Sequence, residues 1–166
     1  MLYSLRDVNA GLIQIVLDMC NSGLLIDAAN GLSPNRYGPP ISQFLSKNQK
    51  LSIYTAAARD QASNFATRAQ KNITGSILYG DATDLGGWFT QIFVAKMWHV
   101  KNSFGSVIKG GDVDVDLDGL ITKQEYDLTS ARAMRETKSE FSVLVANQLG
   151  GGNQTPQSVE IVGTGP

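Results

Sequence analysis

The chain contains little cysteine, histidine or charge, and each shortage narrows what the protein can be. Among its 166 residues there is one cysteine, Cys20, and one histidine, His99. A single cysteine cannot form an intramolecular disulfide, so the chain is not a small disulfide-stabilised scaffold. One cysteine and one histidine also cannot complete a zinc site of the usual Cys/His kind.

The balance of charges bears on the kind of partner. Lys and Arg number 14, Asp and Glu number 15, and the net charge is −1. Nucleic-acid-binding proteins carry a basic excess, so we predict no nucleic-acid partner. Charged residues make up only 17% of the chain, and 14 Ser, 10 Thr, 10 Asn and 10 Gln take their place. This composition favours a chain that forms homo-oligomers or joins partner proteins, in a virion or another extracellular assembly rather than in the cytoplasm.

A long hydrophobic run is also missing from the sequence. A membrane-spanning helix needs roughly 18 or more apolar residues in succession. The most apolar window, residues 85–100, is interrupted by Lys96 and His99 among other polar residues. We therefore expect no transmembrane segment. The charges within the first twenty positions are in the wrong order for a signal peptide, so we expect none.

Apolar residues recur at helical spacing in several segments, which predicts a mainly α protein. Residues 52–70 are rich in alanine and contain neither glycine nor proline, as is typical of a helix. Residues 73–80 form at most a small β element, and residues 158–162 are strand-like. The helices that we expect cover residues 5–19, 41–46, 52–70, 84–101 and 122–149. Cys20 follows the first of them, where a buried and inert thiol is the usual interpretation.

Large apolar side chains are concentrated in the third long helix, where Trp88, Phe89, Ile92, Phe93 and Met97 form a wide apolar arc. An arc of this width predicts a central core helix covered on several sides. The alternative is that part of the arc meets another chain, because Trp and Phe are favoured interface anchors.

One motif carries specific chemistry. Residues 114–125 read DVDLDGLITKQE and match D-x-[DN]-x-[DN]-G-x5-E at every constrained position. The stretch resembles the calcium-binding loop of EF-hand proteins and the related loops of dockerin modules. This resemblance implies one bound Ca²⁺, with Gly119 at the sharp turn. The implied ligands are Asp114, Asp116, Asp118, the carbonyl of Leu120, Thr122 through a water, and both carboxylate oxygens of Glu125.

The surroundings of the loop depart from the family pattern. EF-hand proteins place a helix directly before the loop, whereas Gly110 and Gly111 precede it in this chain and should break a helix. Calcium sensors also carry a second loop, and none is found in the sequence. The resemblance therefore implies a weak, structural calcium site that pins the start of the last helix.

Motifs for catalysis are missing from the sequence. No G-x-S-x-G, P-loop or G-x-G-x-x-G occurs. A nucleophilic pair of Cys20 and His99 is formally allowed. A carboxylate pair for glycoside cleavage would have to use scattered residues such as Asp81 and Asp84.

We therefore predict a non-enzymatic, calcium-binding structural or assembly protein. We expect an irregular helical domain over residues 1–149, with the calcium loop before the long last helix. After the three glycines at 150–152, residues 150–166 would form a flexible, extended C-terminal arm that could add as a strand to a neighbouring subunit. The alternatives are a calcium-stabilised hydrolase acting on cell-wall polymer and a calcium-dependent adhesion or docking module.

Overall fold

The computed structural model divides the chain into two compact units. The first unit is formed by Met1–Ala62 with Thr155–Pro166, and the second by Ser63–Gln154. Along the chain, the second unit lies between the two parts of the first. The structure describes residues 8, 10–33, 36–37, 39–64, 87–101, 107–109, 113–116, 118–147 and 154–165.

The described ranges contain both helices and strands. The first unit contains β1 (Leu12–Leu17), α1 (Leu24–Ala29), β2 (Leu32–Ser33), β3 (Arg36–Tyr37), a 3₁₀ turn (Ile41–Gln43) and β4 (Lys50–Thr55). The second unit contains α2 (Trp88–Trp98), β5 (His99–Lys101), β6 (Val107–Lys109) and α3 (Lys123–Asn147). The chain then returns to the first unit as β7 (Gln157–Val162).

The first unit is built on a three-stranded mixed sheet of order β1-β4-β7. The central strand, β4, is parallel to β1 and antiparallel to β7. Because side chains alternate between the two faces of a strand, this register places six apolar side chains on one face. They form two rows across the sheet, Ile13–Leu51–Ile161 and Ile15–Ile53–Val159. Ala29, Ile41 and Leu45 pack against them and complete the core.

The prediction of a mainly α protein is wrong, since the described residues hold a mixed sheet as well as helices. Residues 12–17 and 52–55, expected within helices, lie in the strands β1 and β4. A strand that is largely covered on both faces is apolar at consecutive positions, and such a run fits a helical period equally well. Pairing between β1 and β4, which are far apart in sequence, decides in favour of the sheet. Residues 56–64 follow as turns, and the remainder of the expected helix lies outside the described residues.

The end of the chain belongs to the sheet of the first unit. Residues 157–162, expected in an arm outside the body, pair with β4 over six positions. Beyond β7 the backbone N–H groups of Gly163, Thr164 and Gly165 donate to the carbonyls of Gln49 (2.9 Å), Ser42 (2.7 Å) and Leu45 (2.9 Å). A Cβ atom on Gly163 would overlap the backbone carbonyl oxygens of Ser46 and Leu45, so only glycine fits there.

The second unit contains two packed helices, α2 and α3. α2 and α3 lie within the helices expected over residues 84–101 and 122–149. Residues 99–101, expected to continue the first of these helices, instead form β5 and pair with β6. Lys96 on α2 and Glu140 on α3 form an ion pair of 2.8 Å. The buried apolar side chains of the two helices are Trp88, Phe89, Ile92, Phe93 and Met97 from α2, and Ala133, Met134 and Phe141 from α3. Five buried side chains on α2 agree with a core helix.

Neither of these two helices, nor any other in the described ranges, combines the length and apolarity that a membrane span requires.

Candidate metal centre

The acidic loop before α3 is curled by hydrogen bonds from its own backbone to its aspartates. The N–H of Gly119 donates to Asp114 Oδ2 at 3.0 Å, and that of Leu120 donates to Asp118 Oδ1 at 2.7 Å. Gly119 has φ = +86°, a left-handed conformation that glycine adopts without a steric penalty. Val113 is fully buried at the start of the loop and anchors it. The loop therefore adopts the tight turn that the sequence motif predicts at this glycine.

Three predicted ligands come together in this turn. Asp114, Asp116 and Asp118 each offer a carboxylate oxygen, and these oxygens lie within 4.8 Å of one another. Two carboxylates about 4 Å apart repel by roughly 1 kcal/mol even in bulk water. In addition, Asp114 Oδ1 is shielded from solvent and has no hydrogen-bond partner among the described residues. A cation at this position would relieve both the repulsion and the unsatisfied oxygen.

Glu125, the predicted closing ligand, forms the N-terminal cap of α3 together with Thr122. The N–H and hydroxyl of Thr122 donate to Glu125 Oε2 at 2.9 and 2.7 Å, and the N–H of Glu125 donates to Thr122 Oγ1 at 3.2 Å. This reciprocal arrangement is a capping box. The spacing of threonine and glutamate, three positions apart before a helix, is a sequence signal that the motif analysis overlooked.

The other carboxylate oxygen of Glu125 reaches the beginning of the loop. Glu125 Oε1 accepts from the N–H groups of Val115 (2.9 Å) and Asp116 (3.4 Å). Hydrogen bonds from the backbone and hydroxyl of Thr122 lower the pKa of Glu125 below its usual value near 4.5. Burial opposes them, and hydrogen bonds from Val115 and Asp116 lower the pKa further. The carboxylate is therefore ionised at neutral pH. It lies outside the cluster of three aspartate oxygens and ties together the two ends of the loop.

The two remaining predicted ligands are also placed in the loop. The side chain of Leu120 is 68% exposed, and the predicted role of its carbonyl as a ligand stays a prediction. Thr122 is engaged with Glu125, so a water-mediated contact to a cation would have to share its hydroxyl. Three of the six predicted ligands are thus clustered, and Glu125 and Thr122 are joined to each other beside them.

Cys20 is exposed, in contrast to the buried thiol in a helix that the sequence suggested. It lies in the turn that follows β1, and β1 and β4 are parallel, so their carboxyl ends share one edge of the sheet. Ser22 and the backbone of Ala57 exchange hydrogen bonds of 3.3 and 3.2 Å, which join the segments after the two strands. In α/β sheets this edge is where ligands commonly bind. His99, the other member of the formally allowed pair, begins β5 in the second unit.

Comparison of the chain with protein-family models, with curated proteins and with solved structures gives no match. A functional proposal for this protein therefore has to come from its own residues and their geometry.

Proposed function

We propose that the protein binds one calcium ion in the loop of residues 114–125 and acts as a non-enzymatic structural or assembly component. Calcium prefers six to eight oxygen ligands, including carboxylates and backbone carbonyls. The ligands in this proposal are Asp114, Asp116, Asp118, the carbonyl of Leu120, Thr122 through a water, and Glu125.

The observation that carries the proposal is the cluster of three aspartate carboxylates, with one shielded oxygen that has no hydrogen-bond partner among the described residues. Without a cation, the hydrogen bonds from the loop backbone alone would have to offset the repulsion between the three carboxylates and the cost of that unpaired oxygen. A bound divalent cation would offset the repulsion between the carboxylates and coordinate the unpaired oxygen. Asp116 and Asp118 are exposed and Asp114 is half-buried, which is consistent with the weak affinity of extracellular calcium modules, on the order of 10⁻⁴–10⁻³ M.

The role proposed for the ion is to hold the loop against the first turn of α3. Glu125 belongs both to the loop and to the helix cap, so an ion bound to it would join the two. A virion or another extracellular assembly is the proposed setting, since the calcium concentration there can match such an affinity. The many uncharged polar residues suit a chain that covers part of its surface with copies of itself or partner proteins.

Thermal unfolding tests calcium binding directly. We expect about 10 mM calcium to raise the melting temperature relative to EDTA, because a ligand of the folded state stabilises it by RT ln(1 + [L]/Kd). For a Kd of about 10⁻⁴–10⁻³ M this is roughly 1.4–2.7 kcal/mol. Magnesium at the same concentration should have a smaller effect, since Mg²⁺ gives up its water ligands reluctantly. Differential scanning calorimetry in the two buffers gives the shift. Identical melting curves, together with no heat of binding on titration, would contradict the calcium proposal.

A second candidate is favoured by the position of Cys20. An exposed thiol at the carboxyl edge of two parallel strands fits the hydrolase alternative, in which calcium would only stabilise the fold. A cysteine thiolate attacks the carbonyl carbon of an amide, the amine leaves with a proton, and water then hydrolyses the thioester. This chemistry would suit the peptide links of a cell-wall polymer.

Thiol reactivity separates this candidate from the first. An activated thiolate alkylates rapidly with iodoacetamide even at about pH 6, whereas an ordinary thiol reacts appreciably only near its pKa of about 8.5. If Cys20 is a nucleophile, we expect fast alkylation at the lower pH and release of fragments from purified wall polymer. The fragments should disappear in Cys20→Ser. Slow alkylation at that pH and an intact polymer would exclude a catalytic Cys20.

A further inference from the structure

We propose that the C-terminal strand is exchangeable, so that residues 155–165 of one copy complete the sheet of a second copy of this chain. The exchanged strand would be the contact between copies in the proposed assembly. The inference therefore rests on the assembly part of the proposed function and not on calcium binding. The partner is an identical chain, and the contact is the one that β7 makes within its own first unit.

Residues of the first unit hold this segment at both ends and along β7. β7 pairs with β4 over six residues, from Gln157 opposite Thr55 to Val162 opposite Lys50. At one end Gln61 Oε1 accepts from the N–H of Thr155 at 2.7 Å. At the other end the N–H groups of residues 163–165 donate to backbone carbonyls of residues 42–49. An identical first unit offers the same groups, so a strand from another copy would form the same contacts.

Because of the way β4 and β7 are connected, exchange of β7 between copies costs little free energy. Thr55 and the carbonyl of Gln157, which are hydrogen-bonded at 3.4 Å, are 102 residues apart in sequence, and the whole second unit lies between them. No short turn joins β7 to β4, so the entropic advantage that a tight hairpin gives to pairing within one chain is missing here. Exchange keeps every contact and changes only the chain that supplies it, which is why swapping of a terminal element is a low-cost route to dimers.

Residues 155–165 also fit closely at the edge of β4. Gly163 and Gly165 approach backbone carbonyls of residues 43–46 too closely for any side chain. Val159 and Ile161 complete the two apolar rows of the sheet core. Removal of β7 would therefore expose the apolar face of β4 and its unpaired edge, a surface that a free strand of the same sequence fits.

The ion pair between Lys50 on β4 and Glu160 on β7, at 3.1 Å, provides the test. In Lys50→Glu, and likewise in Glu160→Lys, positions 50 and 160 of one chain carry like charges, so β7 and β4 of the same chain repel at this point. An exchanged heterodimer of the two full-length variants restores an opposite-charge pair at both positions. The variants are unfolded together, refolded at high concentration in EDTA, and examined by native mass spectrometry. We expect roughly tenfold more heterodimer than either homodimer, from two part-exposed pairs.

The matched control is the double variant Lys50→Glu/Glu160→Lys, which restores the pair within one chain. The double variant and the unaltered chain should form dimers only when they are refolded at high concentration. Gly163→Val should remove these dimers, because β7 then fits neither the sheet of its own chain nor that of another copy. Monomers alone from concentrated refolding of the unaltered chain would overturn the proposal. A statistical mixture of homodimers and heterodimers would do the same, since the dimer contact would then lie elsewhere. Because EDTA is present throughout, the outcome is independent of whether calcium binds.

Discussion

Glu125→Gln should weaken calcium binding by roughly a hundredfold, because it removes the charge of the ligand that closes the loop. The metal-free protein should also lose some stability, since glutamine keeps the capping box with Thr122 but its NH2 group cannot accept from the N–H groups of Val115 and Asp116. Isothermal titration gives the affinity, and thermal melts in EDTA give the metal-free stability. The substitution therefore separates the role of Glu125 in binding a cation from its role in capping α3.

Two further variants make this result interpretable. Glu125→Ala removes both the ligand and its half of the capping box, and should destabilise the metal-free protein more than Glu125→Gln does. Glu136→Gln removes an exposed charge elsewhere on α3 and should leave the calcium affinity within a factor of about two. An unchanged affinity in Glu125→Gln would mean that the loop is not the calcium site and that Glu125 serves only as a cap.

Ile53→Ala should lower the free energy of unfolding by about 2–5 kcal/mol, the usual cost of truncating a buried isoleucine. Ile53 is fully buried in the central strand and lies between Ile15 of β1 and Val159 of β7. Truncation there removes a contact from each neighbouring strand at once and leaves a cavity that the sheet cannot easily close. Urea denaturation followed by circular dichroism measures the loss.

Val162→Ala is the matched control on the same sheet. Val162 is 60% exposed at the end of β7, opposite Lys50, and its truncation should change the stability by less than about 0.5 kcal/mol. If Ile53→Ala were equally mild, the two apolar rows across β1, β4 and β7 could not be the core of the first unit.

The acidic loop is the part of the protein that the sequence alone predicted best. The alternation of Asp114, Asp116 and Asp118 with Gly119 placed three carboxylates around one point, because a tight turn is a local property of neighbouring residues. The last helix was predicted within two residues at each end for the same reason. Its start depends on the cap formed by Thr122 and Glu125, which are only three positions apart.

The strands of the first unit could not be assigned in this way. Leu12–Leu17 contains an apolar run that fits either a helix or a covered strand, and only its pairing with β4 distinguishes the two. In Lys50–Thr55 the alternation of apolar and polar residues is too short to outweigh the helical signal of the alanine-rich residues that follow. The position of β7 was still harder to foresee, since its partner β4 lies about a hundred residues earlier in the chain. The surroundings of Cys20 changed with these strands, from the end of a buried helix to an exposed turn at a sheet edge.

By itself the sequence determined the local features of this protein: the turn of the acidic loop, the helices on either side of it, and the strand-like end of the chain. The tertiary structure alone decided that the fold contains a mixed sheet, that the second unit is inserted into the first, and that residues 157–162 are the third strand of that sheet. The physical reason is the range of the interactions. Caps and turns depend on residues a few positions apart, whereas a sheet depends on hydrogen bonds and apolar contacts between segments whose proximity no local pattern records.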